Sequence, residues 1–311
     1  MRCLRLALTL AVVVGGGLLL PMTAAAKKLR VLTSFLPVYC FTINVTGDRA
    51  EVENLLPAAV GPHDYQFAPR DRQKLGAADV IVVNGLHLES WLQKAIAASG
   101  SQRVPVIVEA AAGLKRELIY GTPGSGAYQN HRAERWRDQL GQGANPHIWL
   151  DPQLAAHAVT NILIALQKAD PANGNSYARN AARYVSRLES LDAEMRHSVA
   201  AFKHRNLVTY HDALPYLARR YQLNLVGVVE EVPDVAPSAK YLASLLRVMR
   251  EHDVKVIFTE PQFSPRLAQQ IGRDLSVPVA ELDTLESGPL NPNAYEEGMR
   301  RNLRTLEKYL R

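Results

Sequence analysis

The chain has 311 residues, 47% of them hydrophobic and 21% charged, with a formal net charge of +6. That length supports two modest domains with real cores. The cations are spread along the chain, as in Arg70-Asp71-Arg72, Arg219-Arg220 and Arg300-Arg301. With no basic stripe interleaved with aromatics, the charge reads as a solvated surface and argues against a nucleic-acid footprint.

The N-terminus predicts export. Arg2 and Arg5 precede an apolar run from Leu6 to Leu20, and small residues lead to Ala26 before Lys27. This is the pattern of a cleavable secretory signal over residues 1–26, and the run is short for a membrane span. Removing the signal takes away Cys3 and leaves Cys40 alone, so the mature chain has no internal disulfide. The expectation is a soluble, monomeric periplasmic protein.

From Leu29 onward the pattern alternates. Strands are predicted at Leu29–Thr33, Val52–Leu56, Ala78–Gly85 and Val104–Val108, with helices from near Val38 to Gly47, at Arg70–Leu75 and at Leu88–Ala98. Strands separated by helices imply a parallel sheet covered on both faces. The glycine-rich stretch from Lys115 to Ala144 breaks the rhythm and reads as a long surface excursion, with His131 its one histidine. Asp151-Pro152 then opens a helix to about Lys168. After Asp170–Gly174, apolar residues recur every three or four positions at Tyr177, Ala181, Tyr184, Leu188, Leu191, Met195, Val199 and Phe202. That is one face of an uninterrupted helix of about eight turns, long enough to be a rigid rod tying two halves together. The second half repeats the alternation. Strands at Asn206–Tyr210, Leu223–Val229, Val254–Thr259 and Val277–Leu282 alternate with helices at Pro215–Tyr221, Ser238–His252 and Pro265–Leu275, before a last helix at Asn293–Tyr309. The domains expected are an N-terminal α/β lobe over 27–172, a linking helix over 173–203 and a C-terminal α/β lobe over 204–311.

Three histidines lie behind turns or strand ends: His63 in Gly61-Pro62-His63-Asp64-Tyr65, His147 in Asn145-Pro146-His147-Ile148-Trp149, and His211 in Tyr210-His211-Asp212. Asp283 ends the last predicted strand. Imidazole nitrogens with one carboxylate suit a tetrahedral zinc site. Open parallel sheets bind ligands at the carboxyl ends of their strands, so two ligands per half would place the ion in the cleft between lobes. Glu260, also at a strand end, either orients a ligand histidine or accepts a backbone hydrogen bond at a helix start. Trp149 reads as packing beside the site. His87 could approach the cleft, whereas His157, His197, His204 and His252 read as surface residues.

These motifs resemble the zinc- and manganese-binding solute-binding proteins of bacterial metal importers of the ABC type. The resemblance covers almost the whole mature chain and rests on Pro62-His63, Asn84-Gly85-Leu86-His87-Leu88-Glu89, Pro146-His147-Ile148-Trp149-Leu150-Asp151-Pro152, Val208-Thr209-Tyr210-His211-Asp212-Ala213, Phe258-Thr259-Glu260 and Leu282-Asp283. It implies two α/β lobes joined by one long helix, metal ligands at His63, His147, His211 and Asp283, and a membrane permease as partner. The family usually carries an acidic residue before each Pro-His pair, where this chain has Gly61 and Asn145. Its zinc importers often carry a histidine-rich loop, which the excursion is not. His211 stands where the manganese binders resemble a glutamate, so Zn2+ is the expected cargo and Mn2+ the alternative. A secreted zinc-dependent hydrolase is the competing function, but four candidate ligands fill the shell that a catalytic zinc leaves open, and no His-Glu-x-x-His helix is present. Nothing in the residues argues for an adhesin-like role.

Overall fold

Two four-stranded sheets, both fully parallel and of the same strand order, organise the chain. In the first, β1 (Leu29–Thr33), β2 (Ala50–Asn54), β3 (Val80–Val83) and β4 (Val106–Glu109) lie in the order β2-β1-β3-β4. The second repeats this with β5 (Asn206–Thr209), β6 (Asn224–Val228), β7 (Ile257–Thr259) and β8 (Val279–Glu281) in the order β6-β5-β7-β8. The computed structural model describes residues 27–63, 65–99, 105–120, 143–230 and 237–311. The expected signal over 1–26, most of the excursion and His131 lie outside the described residues. Among the described residues, no helix is long and apolar enough to cross a membrane.

The helices are α1 (Leu36–Thr46), α2 (Asp71–Ala77), α3 (Leu92–Ser99), α4 (Pro152–Ala169), α5 (Gly174–Val199), α6 (Pro215–Tyr221), α7 (Ala239–Glu251), α8 (Arg266–Leu275) and α9 (Ala294–Leu310). Every residue of β3, Val-Ile-Val-Val, is buried, as a central parallel strand covered on both faces requires. Between β5 and β6 the register shifts at Leu207/Val208, opposite Gly227. A Cβ on Gly227 would lie 2.5 Å from Leu245 Cδ1, so glycine is what lets α7 close on this sheet. The sequence expects a helix from Leu88, but α3 starts at Leu92. Leu86 and His87 take left-handed φ values of 55° and 64°, and Glu89 folds its carboxylate back onto the N–H groups of Asn84 and Gly85. A turn built on those contacts delays the helix.

The periodic helix is α5, whose 26 residues span roughly 39 Å at 1.5 Å per residue. It buries Tyr177, Ala181, Tyr184, Leu188, Leu191, Met195 and Val199, the apolar stripe read from the sequence. This face packs on α1, α4 and α9, so the last helix crosses back to the first half of the chain. One hydrophobic cluster therefore runs through α1, α4, α5 and α9 into β5, while a smaller one fills the far face of the second sheet under α7 and α8.

Polar ties join the two halves behind the cleft. Asp192 on α5 is fully buried and accepts from Arg220 on α6 at 2.9 and 2.5 Å, from the Tyr221 hydroxyl at 3.2 Å and from Gln153 on α4 at 3.3 Å. Burial pushes the Asp192 carboxyl up, but Arg220 outweighs it and holds the acid below its ordinary range. Asp192→Ala strands that guanidinium, which is partly solvated, so a loss of about 2–3 kcal/mol is expected, below the cost of breaking a fully buried pair. A lowered midpoint in urea with an unchanged slope checks this.

Candidate metal centre

His63, His147, His211 and Glu286 converge, each offering one donor atom, and these atoms all lie within 4.8 Å of one another. Nε2 of His147 is 3.1 Å from Nε2 of His63 and 3.3 Å from Nε2 of His211. Oε1 of Glu286 lies 3.5, 3.2 and 3.5 Å from Nε2 of His63, His147 and His211. Four donors placed tetrahedrally at 2.0–2.1 Å from an ion stand roughly 3.3–3.4 Å apart. The five edges 3.1, 3.3, 3.5, 3.2 and 3.5 Å fit that figure. Glu286 Oε1 is buried and faces the three nitrogens without a well-directed hydrogen bond. Three imidazole nitrogens and one carboxylate oxygen at these separations could surround a common cation.

Each donor is delivered by its local chain. His63 sits in the coil after β2, steadied by Trp91, whose Nε1 donates to the Pro62 carbonyl at 3.3 Å and whose ring meets Tyr65 edge-on. His147 precedes a single 3-10 turn, Ile148–Leu150, all three residues of which are buried. His211 lies two residues beyond the end of β5. Glu286 comes from the turn after β8, and here the structure differs from the sequence expectation. Asp283 is not in the donor cluster. Its Oδ1 accepts from the N–H of Leu285 at 2.8 Å, and its Oδ2 lies 3.5 Å from Arg301. An aspartate that accepts from the backbone two residues on builds a turn, and this one swings Glu286 toward the histidines. The turn is held by Asn302 of α9, which pairs with the Asp283 N–H and carbonyl at 2.8 and 2.6 Å, and by Trp149 Nε1 on the Thr284 carbonyl at 2.8 Å. Leu285 has φ 61°, a strained value for a side chain of that size. Gly298 accommodates it, since a Cβ there would lie 2.2 Å from Leu285 Cδ2.

His147, His211 and Glu286 are 2–3% exposed, whereas the His63 side chain is 27% exposed, so the cluster opens to solvent at His63. Burial pushes His147 down to about 3, against the pull of Glu286. Burial also presses on His211, but the carboxylates of Glu260 and Glu286 overcome it and set this imidazole near 10. Glu286 is buried too, yet the surrounding imidazoles hold it well below the usual carboxylate range. Burial raises Asp283.

The chain matches the model of a known family over residues 31–309, described as the zinc-uptake complex component A, periplasmic. The chain belongs to this ZnuA family. It is 32% identical over 289 residues to the high-affinity zinc uptake system protein ZnuA of Bacillus subtilis, covering 91% of this chain and 88% of that one. Among solved structures, it is similar to the solute-binding protein FpvC of Pseudomonas aeruginosa in complex with Mn2+, at 32% identity and a TM-score of 0.77, covering 91% of this chain and 98% of that one. It is also similar to a ZnuA deletion mutant with zinc bound, at 25% identity and a TM-score of 0.76, covering 91% and 98%. The family is that of a capture component, which leaves the hydrolase alternative without support.

Within the ZnuA family frame, the neutral residues before the two Pro-His pairs have definite surroundings. Gly61 lies against Glu286, where a Cβ would stand 3.2 Å from Oε2. A bulky acid there would crowd the fourth donor and repel it. Asn145 contacts His147 directly, with Oδ1 2.8 Å from Nδ1. Glu260 takes the orienting alternative: Oε1 meets His211 Nδ1 at 2.5 Å and also accepts from the His211 backbone N–H at 3.2 Å, a donor that follows a strand and does not open a helix. Its Oε2 accepts from Gln262 and Thr284. Trp149 is core beside the site, in edge contact with Phe35 at 4.8 Å and tilted against His147 at 5.1 Å. His87, His197 and His252 are exposed, and none of the remaining described histidines joins the cluster.

Proposed function

We propose that the protein captures one zinc ion in the periplasm through His63, His147, His211 and Glu286 and delivers it to the membrane permease of an ABC importer. The single observation that carries this is the set of donor separations, which matches a tetrahedral shell of three imidazoles and one carboxylate. Charge supports it. A divalent ion meets Glu286 directly and Glu260 through His211, so the buried site is neutral as a whole, as burial of charge demands. Hard cations such as Mg2+ and Ca2+ want six or more oxygens. Manganese also favours oxygen over imidazole, which supports zinc over Mn2+ here. The Mn2+ complex of FpvC keeps manganese as the second ligand to test.

All four donors come from one chain, which favours a monomer as the carrier. The working division is a lobe over 27–172, a linking helix over 173–203 and a lobe over 204–311, with residues 1–26 as the export signal. Metal analysis of protein purified without added metal, followed by titration of zinc against manganese, tests the function. One tightly held zinc that manganese does not displace supports it, and no stoichiometric metal rejects it.

The stretch 121–142 contains one histidine, His131, and a lone imidazole captures metal poorly. Deleting this stretch is expected to leave the zinc stoichiometry at one. Loss of the ion on deletion would place His131 in the shell.

A further inference from the structure

Asn145 stands two residues before His147, and its side chain touches both halves of the site. Oδ1 accepts from the backbone N–H of His147 at 3.1 Å and meets Nδ1 of the same residue at 2.8 Å. At the other end of the amide, Nδ2 donates to the carbonyl of Asp212 at 2.7 Å, the residue next to His211. Two of these partners have no choice of role, because a backbone N–H only donates and a carbonyl only accepts. They decide which end of the amide is oxygen, and that oxygen requires the proton of His147 to sit on Nδ1. The lone pair then lies on Nε2, the atom that faces His63, His211 and Glu286. The backbone of Asn145 adds a second tie, since its carbonyl accepts from the Tyr216 hydroxyl at 2.7 Å and its N–H donates to Ile119 at 2.8 Å.

A carboxylate at this position could accept from His147 but not donate to Asp212. It would set two oxygens against each other across the cleft. The amide is the group of this size that accepts at one end and donates at the other.

We infer that Asn145 is a positioning residue for metal capture, locking His147 in its Nδ1–H tautomer and tying the His147 turn to the His211 turn across the cleft. The inference rests on the zinc-capture reading above. The test uses the mature chain and its Asn145→Leu and Asn145→Asp variants. It reads the imidazole nitrogen signals of His147 by NMR without metal, the thermal midpoint, and the zinc affinity by competition with a chromophoric chelator.

The wild type is expected to show one Nδ1–H tautomer. Asn145→Leu mixes the tautomers and weakens zinc by roughly 10–100-fold, the usual cost of losing a group that orients a ligand. Asn145→Asp retains the tautomer, because its oxygen stays, but melts lower, because the donor to Asp212 is gone. An Asn145→Leu protein with a single Nδ1–H tautomer and unchanged affinity overturns the tautomer role, and an Asn145→Asp protein that melts like the wild type overturns the tie. Failure of the wild type itself to bind zinc would reject the capture reading instead, with the tautomer spectra still deciding the role of Asn145.

Discussion

Glu286→Ala is expected to weaken zinc binding by more than the roughly 10–100-fold cost of losing a group that only orients a ligand. Asp283→Asn is expected to stay within about threefold of the wild type, because the substitution spares every donor to the ion. The contrast follows from the turn after β8. In the proposed shell Glu286 would supply the one anionic donor among three imidazoles, and its loss would leave the shell incomplete and the buried cation short of a counter-charge. Asp283 contributes an oxygen to the N–H of Leu285, and asparagine supplies the same acceptor in the same place. His211→Ala belongs with Glu286→Ala, since it removes a donor and also leaves Glu260 buried opposite an empty position. Equal losses at 283 and 286 in a competition titration would return the fourth ligand to Asp283.

Acid should release the metal. His211, held near 10 by Glu260 and Glu286, carries a proton at neutral pH in the metal-free protein, and zinc must displace it to reach Nε2. The sign follows directly: each displaced proton makes the apparent affinity fall tenfold per unit drop in pH. Zinc at 100 times its dissociation constant at pH 7 stabilises the folded chain by about 2.7 kcal/mol, and a hundredfold weakening at pH 5 leaves about 0.4 kcal/mol. The zinc-induced rise in Tm should therefore be clear at pH 7 and nearly gone at pH 5. A rise undiminished in acid would count against three histidines in the shell. Isothermal titration in buffers of different ionisation enthalpy should also register proton release on binding at pH 7.

The elements and three of the four clustered side chains were legible because their signals are local. Parallel strands buried on both faces read as apolar runs, α5 carries a 3.6-residue stripe, and His63, His147 and His211 each follow a proline or a strand end. Glu286 was not legible. Its delivery depends on an Asp283 side chain that accepts from the backbone, a left-handed Leu285 and the missing Cβ of Gly298, none of which a strand-end rule registers. A strand-end rule points instead to Asp283, three positions earlier. The return of α9 onto α1 and α5 was equally hidden, since amphipathic spacing gives the face of a helix but not the surface it covers. Glu260 showed only as two alternatives. The structure favours the first, because the imidazole and the backbone N–H of His211, which lies after a strand and not at a helix start, meet the same carboxylate oxygen.

X-ray absorption at the zinc edge of the singly loaded chain tests the central claim most directly. The account predicts four light-atom neighbours at about 2.0–2.1 Å, with the outer-shell scattering of three imidazoles and no sulfur. A six-coordinate shell, or one with fewer than three imidazoles, would contradict it.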